Sequence, residues 1–377
     1  MLHDGKRWGV TCPSARAIAV LGTLLSWGEA GTLVLYVFSP TDPEYINNLR
    51  FFTEFGMAEG DGCDYVIIVQ HDDAIPMPEL PPLPSNARYI HHTNDCYDWG
   101  TIGWAINEHG ISTAGYSSVR GPFVAPYARA QTSWQRLLTD RINGTVKVVG
   151  PTISCEGSPP GGRVTEVWRV NPHVQSYVLA TDQVGLEIWR RDGNVFKCWH
   201  SMWDVIWHGE LGSSLAILNA GYSIDSLMLR YQGVNWRDKA NWACNGQANP
   251  YGEHYLDGVS LNLFEVMFVK VKGRLLDNGW SFAQQAAKYT EIMRQQKARG
   301  QAEITGNVYK TNPAPFREER LGYMLYRGPE CFDYEYFTKS NADLGPYASN
   351  EEIWKAFLRH GAFEGRAYRF NCPFKQP

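Results

Sequence analysis

Glu210 is the residue whose type and surroundings best suit acid–base chemistry. It follows a stretch rich in tryptophan and precedes a run of small residues in the segment His208–Tyr222. We predict that it stands in the first turn of a short helix that Gly221 ends in a left-handed conformation. A carboxylate beside indole rings suits a general base next to a sugar-binding surface, and Asp204 is the second candidate. The alternative is that Glu210 only complements the helix dipole.

A second pair of polar residues, His173 and Gln175, lies in the segment Asn171–Asp182. β-Branched and aromatic residues alternate there with small polar ones, which predicts a strand, and Thr181-Asp182 then begins a helix. On a strand beside the site, these two side chains would orient a bound sugar. A buried structural role is the alternative, because buried polar side chains also form hydrogen bonds within the core.

The elements that would position these residues begin with strands that alternate with a helix. Continuous apolar runs at Thr32–Ser39 and Asp64–Gln70 are typical of strands buried on both faces, and a third strand follows at Arg88–His92. Between the first two strands, Thr41 or Asp42 caps a helix that begins at Pro43. The alternation predicts an α/β fold, with a mostly parallel sheet flanked by helices and a ligand crevice at its carboxyl edge.

Candidate ligand-binding residues follow the third strand directly. Asn94, Asp95 and Asp98 offer oxygen acceptors for ribose or sugar hydroxyls, and Gly100 permits close approach of the backbone to a ligand. A loop in this place lies at the carboxyl end of a strand, where open α/β sheets bind ligands. The alternative is an Asn- and Asp-rich turn without a ligand.

Ser117, Ser118 and Arg120 form the next candidate group. Hydroxyl groups and a guanidinium donate hydrogen bonds that phosphate oxygens accept, so this segment suits a diphosphate. The alternative for Arg120 is a solvated cation in a loop.

Composition argues against some partners and leaves the compartment open. The net charge of −4 does not indicate a basic surface that would bind nucleic acid. The apolar run Ala17–Trp27 is shorter than the roughly 20 residues of a membrane-spanning helix. The eight cysteines include no CxxC pair, which argues against a structural zinc site. Their even number and the sequon Asn143-Gly144-Thr145 fit the Golgi or secretory lumen, yet both also occur in cytoplasmic proteins.

Four regions are predicted along the chain. They are an N-terminal extension at 1–30, the α/β domain at 31–275, a helix and linker at 276–328, and a small helical module at 329–377. A stripe of apolar residues in Trp280–Gln301 predicts the surface helix of the third region. In the last region, Ser349 or Asn350 caps a helix that ends at Gly361.

Four of these pieces, in this order, resemble the rhamnan-synthesis F-type glycosyltransferases and their relatives. The loop with Asn94, Asp98 and Gly100 is similar to the Asn-x-x-x-Asp-x-Gly motif that follows the third strand in that family. A turn that runs into Gly-Pro is matched in part by Ser117, Ser118, Gly121 and Pro122. A His-x-Gln-Ser-Tyr strand and a helix with Glu, Ser and a closing Gly-Tyr are matched by His173, Gln175, Ser176, Tyr177, Glu210, Ser213, Gly221 and Tyr222.

The tail is similar to a small module often appended to carbohydrate-active proteins. Together, the resemblance covers about residues 32 to 240 and the tail. The matching tail segments are Phe332-Asp333-Tyr334, Asn341-Ala342-Asp343, His360-Gly361 and Glu364-Gly365-Arg366.

The resemblance implies a glycosyltransferase of GT-A-like fold, with a role in polysaccharide biosynthesis. Such an enzyme would move a sugar from a nucleotide-diphosphate sugar to a glycan or glycoconjugate acceptor, with inversion. Glu210 would take the acceptor's proton. The residues after the third strand would hold donor hydroxyls, His173 and Gln175 would orient the donor sugar, and the Ser117–Arg120 segment would face the diphosphate.

Two other classes of function stay open. One is a catalytically inactive relative that binds glycans through its aromatic residues and its tail. The other is a glycoside hydrolase, which needs two carboxylates that flank the scissile bond. No two carboxylates form a convincing pair in the sequence, so the hydrolase ranks last.

Two departures from the family pattern lead to further predictions. The turn Tyr116-Ser117-Ser118 lacks the acidic residue that would bind a metal, and His71-Asp72-Asp73 follows a different strand. We therefore predict that no metal is required, with Mg²⁺ or Mn²⁺ as the alternative.

The stretch Ala105–Gly115 is too short for a helix and a buried strand. It predicts a weak or absent central strand, with Thr113–Val119 drawn into the gap and activity below that of a full-length relative.

Overall fold

The computed structural model describes residues 31–71, 74–109, 114–116, 119–123, 133–155, 169–228, 231–242, 244, 263–279, 281–300, 324–325, 327–342, 345–347, 349–361 and 368–372. Within these residues the chain has a mixed α/β fold. The predicted site residues Ser117 and Ser118 and the apolar run Ala17–Trp27 lie outside them.

A single large sheet forms the centre of the fold. The strands of the described residues are β1 (Thr32–Phe38), β2 (Cys63–His71), β3 (Ala87–Thr93), β4 (Ala114–Tyr116), β5 (Val119–Arg120), β6 (Val146–Gly150), β7 (Ile153–Ser154), β8 (His173–Val174), β9 (Val178–Thr181), β10 (Ser223–Ser226) and β11 (Val269–Lys270). Seven of them form the sheet, in the order β10-β6-β9-β4-β1-β2-β3. Neighbours are parallel except where β9 pairs with β4 and with β6.

Helices fill the connections between the strands. They are α1 (Pro43–Phe55), α2 (Tyr97–His109), α3 (Trp134–Thr139), α4 (Gln183–Asp192), α5 (Met202–Asp204), α6 (Leu211–Asn219), α7 (Leu263–Val266), α8 (Gly273–Asp277), α9 (Ser281–Ala298), α10 (Tyr334–Ser340) and α11 (Asn350–Ala356). In the described part of the chain, none of the helices combines the length and the apolar character that crossing a bilayer requires.

The first strands and helix form as predicted. The apolar runs of β1 and β2 become largely buried strands, because apolar side chains on both faces of a strand need cover on both faces. Helix α1 packs on β1, where the ring centroid of Phe52 lies 5.0 Å from that of Tyr36. Asp42 caps α1 by accepting the Glu44 N–H at 2.9 Å.

Helix α2 begins inside the predicted loop Asn94–Gly100, which corrects the expectation from the sequence. Because α2 begins within that loop, the residues between α2 and Ser117 need to form only a strand. That strand is β4, which has three residues with Gly115 at its centre and pairs with both β1 and β9. The sheet therefore keeps a short central strand that contains a glycine, as predicted. The predicted extent, Thr113–Val119, is wrong at its end, because Val119 lies in β5, which pairs with β11 in a separate sheet.

Glu210 does not stand at a helix start, which is a second correction. The helical segment begins at Met202 with α5, passes through a π-helical turn at Val205–Glu210 and continues as α6. The dipole at a helix start therefore does not account for Glu210. Gly221 ends the segment with a φ of +87°, as predicted. π-Helical turns are rare, and those that are present often lie at functional sites.

The predicted strand at Asn171–Asp182 divides into two. The strands β8 and β9 are separated by a turn at 176–177, and Asp182 then caps α4 by accepting the Gly185 N–H at 3.0 Å. The N–H of Val174 donates to Ser214 Oγ at 3.0 Å, which ties β8 to α6. The segment with His173 is thus joined to the helix that follows Glu210.

The C-terminal residues form the predicted helices α9 and α11. Ser349 caps α11 by accepting the Glu352 N–H at 3.2 Å, and a π-helical turn continues this helix to Gly361. Arg327 joins the tail to the larger domain, because it donates to the carbonyl groups of Gln232 and Cys372 at 2.9 and 2.8 Å. The positions of the domain boundaries stay a prediction.

Gly209→Ala should destabilise the protein, although alanine favours helices. A Cβ atom at Gly209 would lie 2.5 Å from Cδ1 of Trp99, whose side chain is buried. Such overpacking costs about 1–3 kcal/mol, which outweighs the roughly 1 kcal/mol that alanine gains over glycine in a helix. Denaturant unfolding with intact disulfides measures the difference in unfolding free energy.

Gly144→Ala is the control, because no heavy atom lies within 4 Å of a Cβ atom at Gly144. Its unfolding free energy should stay within about 0.5 kcal/mol of that of the unsubstituted protein. If Gly209→Ala were as stable as this control, the packing of Gly209 on Trp99 would not be a constraint.

Candidate functional site

The parallel strands bring several segments of the chain to one edge of the sheet. Strands β1, β2 and β3 run in the same direction, so the residues that follow them lie at a shared carboxyl edge. The chain passes from β1 to β2 and β3 on one side and returns to β4 on the other. Open α/β sheets bind ligands at such a switch point, outside the carboxyl ends of the strands.

Asp98 and Glu210 lie close enough for their charges to interact. Asp98 stands in the first turn of α2, is half-buried and accepts the Trp99 N–H at 2.9 Å. Burial raises the pKa of Asp98 to about 6, and the negative charge of Glu210 adds to the increase. The fold therefore pairs two carboxylates that are far apart in the sequence.

Three contacts hold the segment of Glu210 against α2. Gly209 lets the π-helical turn lie directly on the buried indole of Trp99. Cys96, next to the start of α2, forms a disulfide with Cys198, which precedes α5. At Gly100 a Cβ atom would lie 3.0 Å from Cα of Cys198, so the close backbone approach predicted for a ligand there is made by the chain itself.

His173 is buried beside Glu210. Its Nδ1 lies 3.4 Å from the carbonyl oxygen of Asn171. Burial lowers the pKa of His173, while the negative charge of Glu210 acts in the opposite direction. The ring is therefore neutral at pH 7. Gln175 is also buried, and its side-chain oxygen accepts from Thr152 Oγ1 at 3.3 Å, which favours a structural role for this residue.

Two lysines that were not predicted from the sequence complete the cluster. Lys270 in β11 and Lys272, two residues further along the chain, are half-buried, and the positive charge of Lys270 lowers the pKa of Asp98 and of His173. Burial lowers the pKa of Lys272, Lys270 adds to this effect, and Glu210 opposes it. We call Asp98, His173, Glu210, Lys270 and Lys272 the carboxylate site.

A pattern in the sequence could have revealed the two lysines. The run Val269-Lys270-Val271-Lys272 alternates apolar and charged residues. In a strand this alternation puts both lysines on one face. The run alone does not reveal the partner of the strand, which is β5.

Asn94 and Asp95 lie at the carboxyl end of β3. The backbone N–H of Asn94 donates to the His71 carbonyl at 3.0 Å and so continues the pairing of the sheet. Asp95 is exposed, and its carboxylate accepts from Thr93 Oγ1 at 3.0 Å. Both residues directly precede α2, which carries Asp98.

Arg120 is almost fully buried in β5. Its guanidinium donates to Glu44 at 2.6 Å and to Asn48 Oδ1 at 3.0 Å, which ties β5 to α1. These contacts favour a structural role, since breaking a buried ion pair is costly. The predicted role of Arg120 at a diphosphate stays a prediction.

Asp204, the second candidate for the general base, is half-buried. Burial lowers the pKa of His208, and the negative charge of Asp204 acts in the opposite direction.

Aromatic side chains lie in the segment 197–210, which leads to Glu210. Trp199 stacks on His208 with ring centroids 4.4 Å apart, and Lys197 Nζ lies 4.1 Å from the centroid of Trp199. The side chain of Trp203 is 41% exposed. An exposed indole close to Glu210 in the chain is a surface on which a sugar ring can stack.

One group of described residues has the spacing of metal ligands. It consists of Asp95, Cys96 and Cys198. The two sulfur atoms form a disulfide, which removes the thiolates that would bind a metal. Asp72 and Asp73 lie outside the described residues, and the prediction that no metal is required stays a prediction.

No protein-family model and no curated protein matches this chain. The resemblance to the rhamnan-synthesis F-type glycosyltransferases therefore stays a prediction from short motifs.

Asp98 should make the stability of the protein depend on pH. Its pKa in the folded protein is about 6, above the ordinary value of 3.8. Between these values the folded state binds more protons than the unfolded state, so stability falls as the pH rises. The contribution of Asp98 is complete below about pH 4 and is lost as the pH rises through 6. We expect Asp98→Asn to remove this decrease, which is on the order of 2 kcal/mol.

Denaturant unfolding at a series of pH values between about 4 and 8 measures this contribution. Asp95→Asn is the matched control, because Asp95 is an exposed acid of the same segment. The control should keep the pH profile of the unsubstituted protein. An Asp98→Asn profile that runs parallel to that of the unsubstituted protein would contradict the raised pKa.

Proposed function

We propose that this protein is a glycosyltransferase of GT-A-like fold, which moves a sugar from a nucleotide-diphosphate sugar to a glycan or glycoconjugate acceptor. The observation that carries the proposal is the carboxylate site, where two acids interact with two lysines. Carboxylates transfer protons and bind sugar hydroxyls, and lysines neutralise a leaving diphosphate. The motifs shared with the rhamnan-synthesis F-type enzymes support the same function.

Glu210 is the proposed general base. Its carboxylate accepts the proton of an acceptor hydroxyl while the hydroxyl oxygen attacks the anomeric carbon of the donor sugar. The bond between that carbon and the diphosphate oxygen breaks in the same step, on the opposite face of the sugar, so the configuration inverts. The π-helical turn and its packing on Trp99 hold the base in place.

Asp98, Asn94 and Asp95 are the proposed acceptors for hydroxyl groups of the donor. A carboxyl group with a pKa of about 6 is ionised in most molecules at pH 7 and accepts hydrogen bonds. Neutral His173 offers either a donor or an acceptor nitrogen, according to its tautomer. Gln175 would support this strand from within the core rather than contact the sugar.

Lys270 and Lys272 take the role that the sequence analysis gave to the Ser117–Arg120 segment. Their ammonium groups carry positive charge, which stabilises negative charge as it develops on a leaving diphosphate. The two ammonium groups can supply the positive charge that a divalent metal supplies in other transferases. The carboxylate site thus suits transfer that requires no metal.

The GT-A-like architecture is part of the proposal. Its support is the run of parallel strands β1, β2 and β3, the return of the chain to β4 on the far side of β1, and the candidate residues at the carboxyl edge. A nucleotide bound at this switch point would place its sugar beside the carboxylate site.

A glycoside hydrolase is the second candidate, because the charges of the two carboxylates Asp98 and Glu210 interact, which the sequence alone did not reveal. The two lysines favour the transferase, since hydrolysis of a neutral glycosidic bond leaves no diphosphate to neutralise. Binding of a nucleotide sugar separates these two candidates. Turnover separates the enzyme from a catalytically inactive relative that binds glycans.

Glu210→Gln should reduce turnover by roughly 10²-fold or more and leave donor affinity nearly unchanged. The amide has almost the same size as the carboxylate, but it cannot accept the proton of the acceptor. Release of nucleoside diphosphate from a panel of nucleotide sugars, with glycan acceptors present, measures turnover. Isothermal titration measures donor affinity.

Glu187→Gln is the control, because Glu187 is a helical glutamate on the surface that pairs with exposed Arg191 at 2.9 Å. This variant should keep full turnover. Unchanged turnover in Glu210→Gln would remove Glu210 from the mechanism. Parallel losses of turnover and of unfolding free energy would point to a structural role instead.

Lys272→Met should weaken donor binding by about 10- to 100-fold, because hydrogen bonds to a charged group are each worth roughly 1.5–3 kcal/mol. The control is Lys355→Met, which removes an exposed lysine paired with Glu351 in the tail. We expect EDTA to leave the donor affinity of the unsubstituted protein unchanged. A strict requirement for Mn²⁺ or Mg²⁺ would contradict this assignment and make Asp95 or Asp98 candidate metal ligands.

A further inference from the structure

Six of the eight cysteines form three disulfides. Cys96–Cys198 lies beside the carboxylate site, Cys155–Cys244 joins two other segments of the α/β domain, and Cys331–Cys372 closes the tail. Disulfides form and persist in oxidising compartments and are rare in the cytosol, where thiols are kept reduced. The three disulfides therefore indicate a protein that folds in an oxidising compartment, of which the secretory lumen is one.

The chain contains one Asn-x-Ser/Thr sequon, Asn143-Gly144-Thr145. It lies between α3 and β6, and all three of its residues are exposed. No heavy atom lies within 4 Å of a Cβ atom at Gly144, so the surface around the middle of the sequon is open. Such a sequon is an acceptor for glycosylation only in a protein that enters the secretory lumen.

The hydrogen bonds of Asn143 are compatible with a glycan on its side chain. Oδ1 accepts the backbone N–H groups of Thr145 and Val146 at 2.8 and 3.0 Å. Nδ2 donates to the carbonyl oxygen of Arg141 at 3.1 Å. Replacement of one amide hydrogen by a sugar leaves Oδ1 and its two hydrogen bonds intact.

We propose that Asn143 carries an N-linked glycan, added in the secretory lumen from an oligosaccharide held on a lipid diphosphate. The amide nitrogen of Asn143 forms a bond to the anomeric carbon of that oligosaccharide. The bond between this carbon and the diphosphate oxygen breaks, the lipid diphosphate leaves, and the amide nitrogen loses one proton. The modification goes beyond the proposed transferase activity and does not depend on it.

The glycan lies at the opposite edge of the sheet from the carboxylate site. Strand β6 is antiparallel to β9, and β9 is antiparallel to β4, so β6 runs in the same direction as β1 and β4. Asn143 precedes the amino end of β6, whose five residues span roughly 16 Å. A glycan at Asn143 therefore leaves the carboxyl edge open to substrates.

The test is translocation of the full chain, behind a secretion leader, into the lumen of eukaryotic microsomes, with analysis of the protease-protected chain. We expect treatment with peptide N-glycosidase to lower the mass of this chain and to convert Asn143 to aspartate. Asn143→Gln and Thr145→Ala should abolish the mass change. Thr145→Ser is the matched control and should preserve it, because serine also completes the sequon.

The proposal is wrong if the translocated protein without amino-acid substitutions keeps the same mass after treatment with the glycosidase. A mass change that persists in Asn143→Gln would also overturn it. Alkylation of the translocated protein without a reductant tests whether the three disulfides form. At most two cysteines should react, and reaction of the six paired cysteines would remove the basis of the proposal.

Discussion

Close packing of the π-helical turn Val205–Glu210 on helix α2 is the contact on which the carboxylate site depends. Gly209 has no side chain, so the backbone of the turn lies directly on the buried indole of Trp99. The Cys96–Cys198 disulfide joins the same two segments covalently. Because the turn is fixed in this way, Glu210 is held beside Asp98 in the folded protein.

The charges of the carboxylate site oppose one another in a partly buried environment. Burial and the charge of Glu210 disfavour ionisation of Asp98, while Lys270 favours it. Burial disfavours the charged form of Lys272, and Glu210 favours it. Ionisable groups with perturbed pKa values cluster at functional sites. A nucleotide sugar carries complementary groups, since its diphosphate is anionic and its hydroxyls donate hydrogen bonds.

The features that the sequence predicted correctly have local signals. The apolar run of β1, the Asp42 cap and the left-handed Gly221 each depend on a few neighbouring residues. The start of α2 was missed because Tyr97 begins it with a φ of +49°, which its residue type does not indicate. The π-helical turn was missed because the sequence indicated an ordinary helix that begins at Glu210. Lys270 and Lys272 were missed because the position of β11, which carries Lys270 and precedes Lys272, depends on pairing with distant β5. Local patterns thus indicated Glu210 and Asp98 separately, and only tertiary contacts join them.

The most direct test of the carboxylate site as a nucleotide-sugar site is thermal unfolding of the protein with a panel of nucleotide sugars. A ligand that binds only the folded state adds about 2.7 kcal/mol to the unfolding free energy when it is present at 100 times its Kd. We expect at least one nucleotide sugar to raise the unfolding temperature, and the matching free sugar to have no effect at the same concentration. If free glycans raise the unfolding temperature and no nucleotide sugar does, the protein binds glycans without a nucleotide donor and the proposed transferase function is wrong.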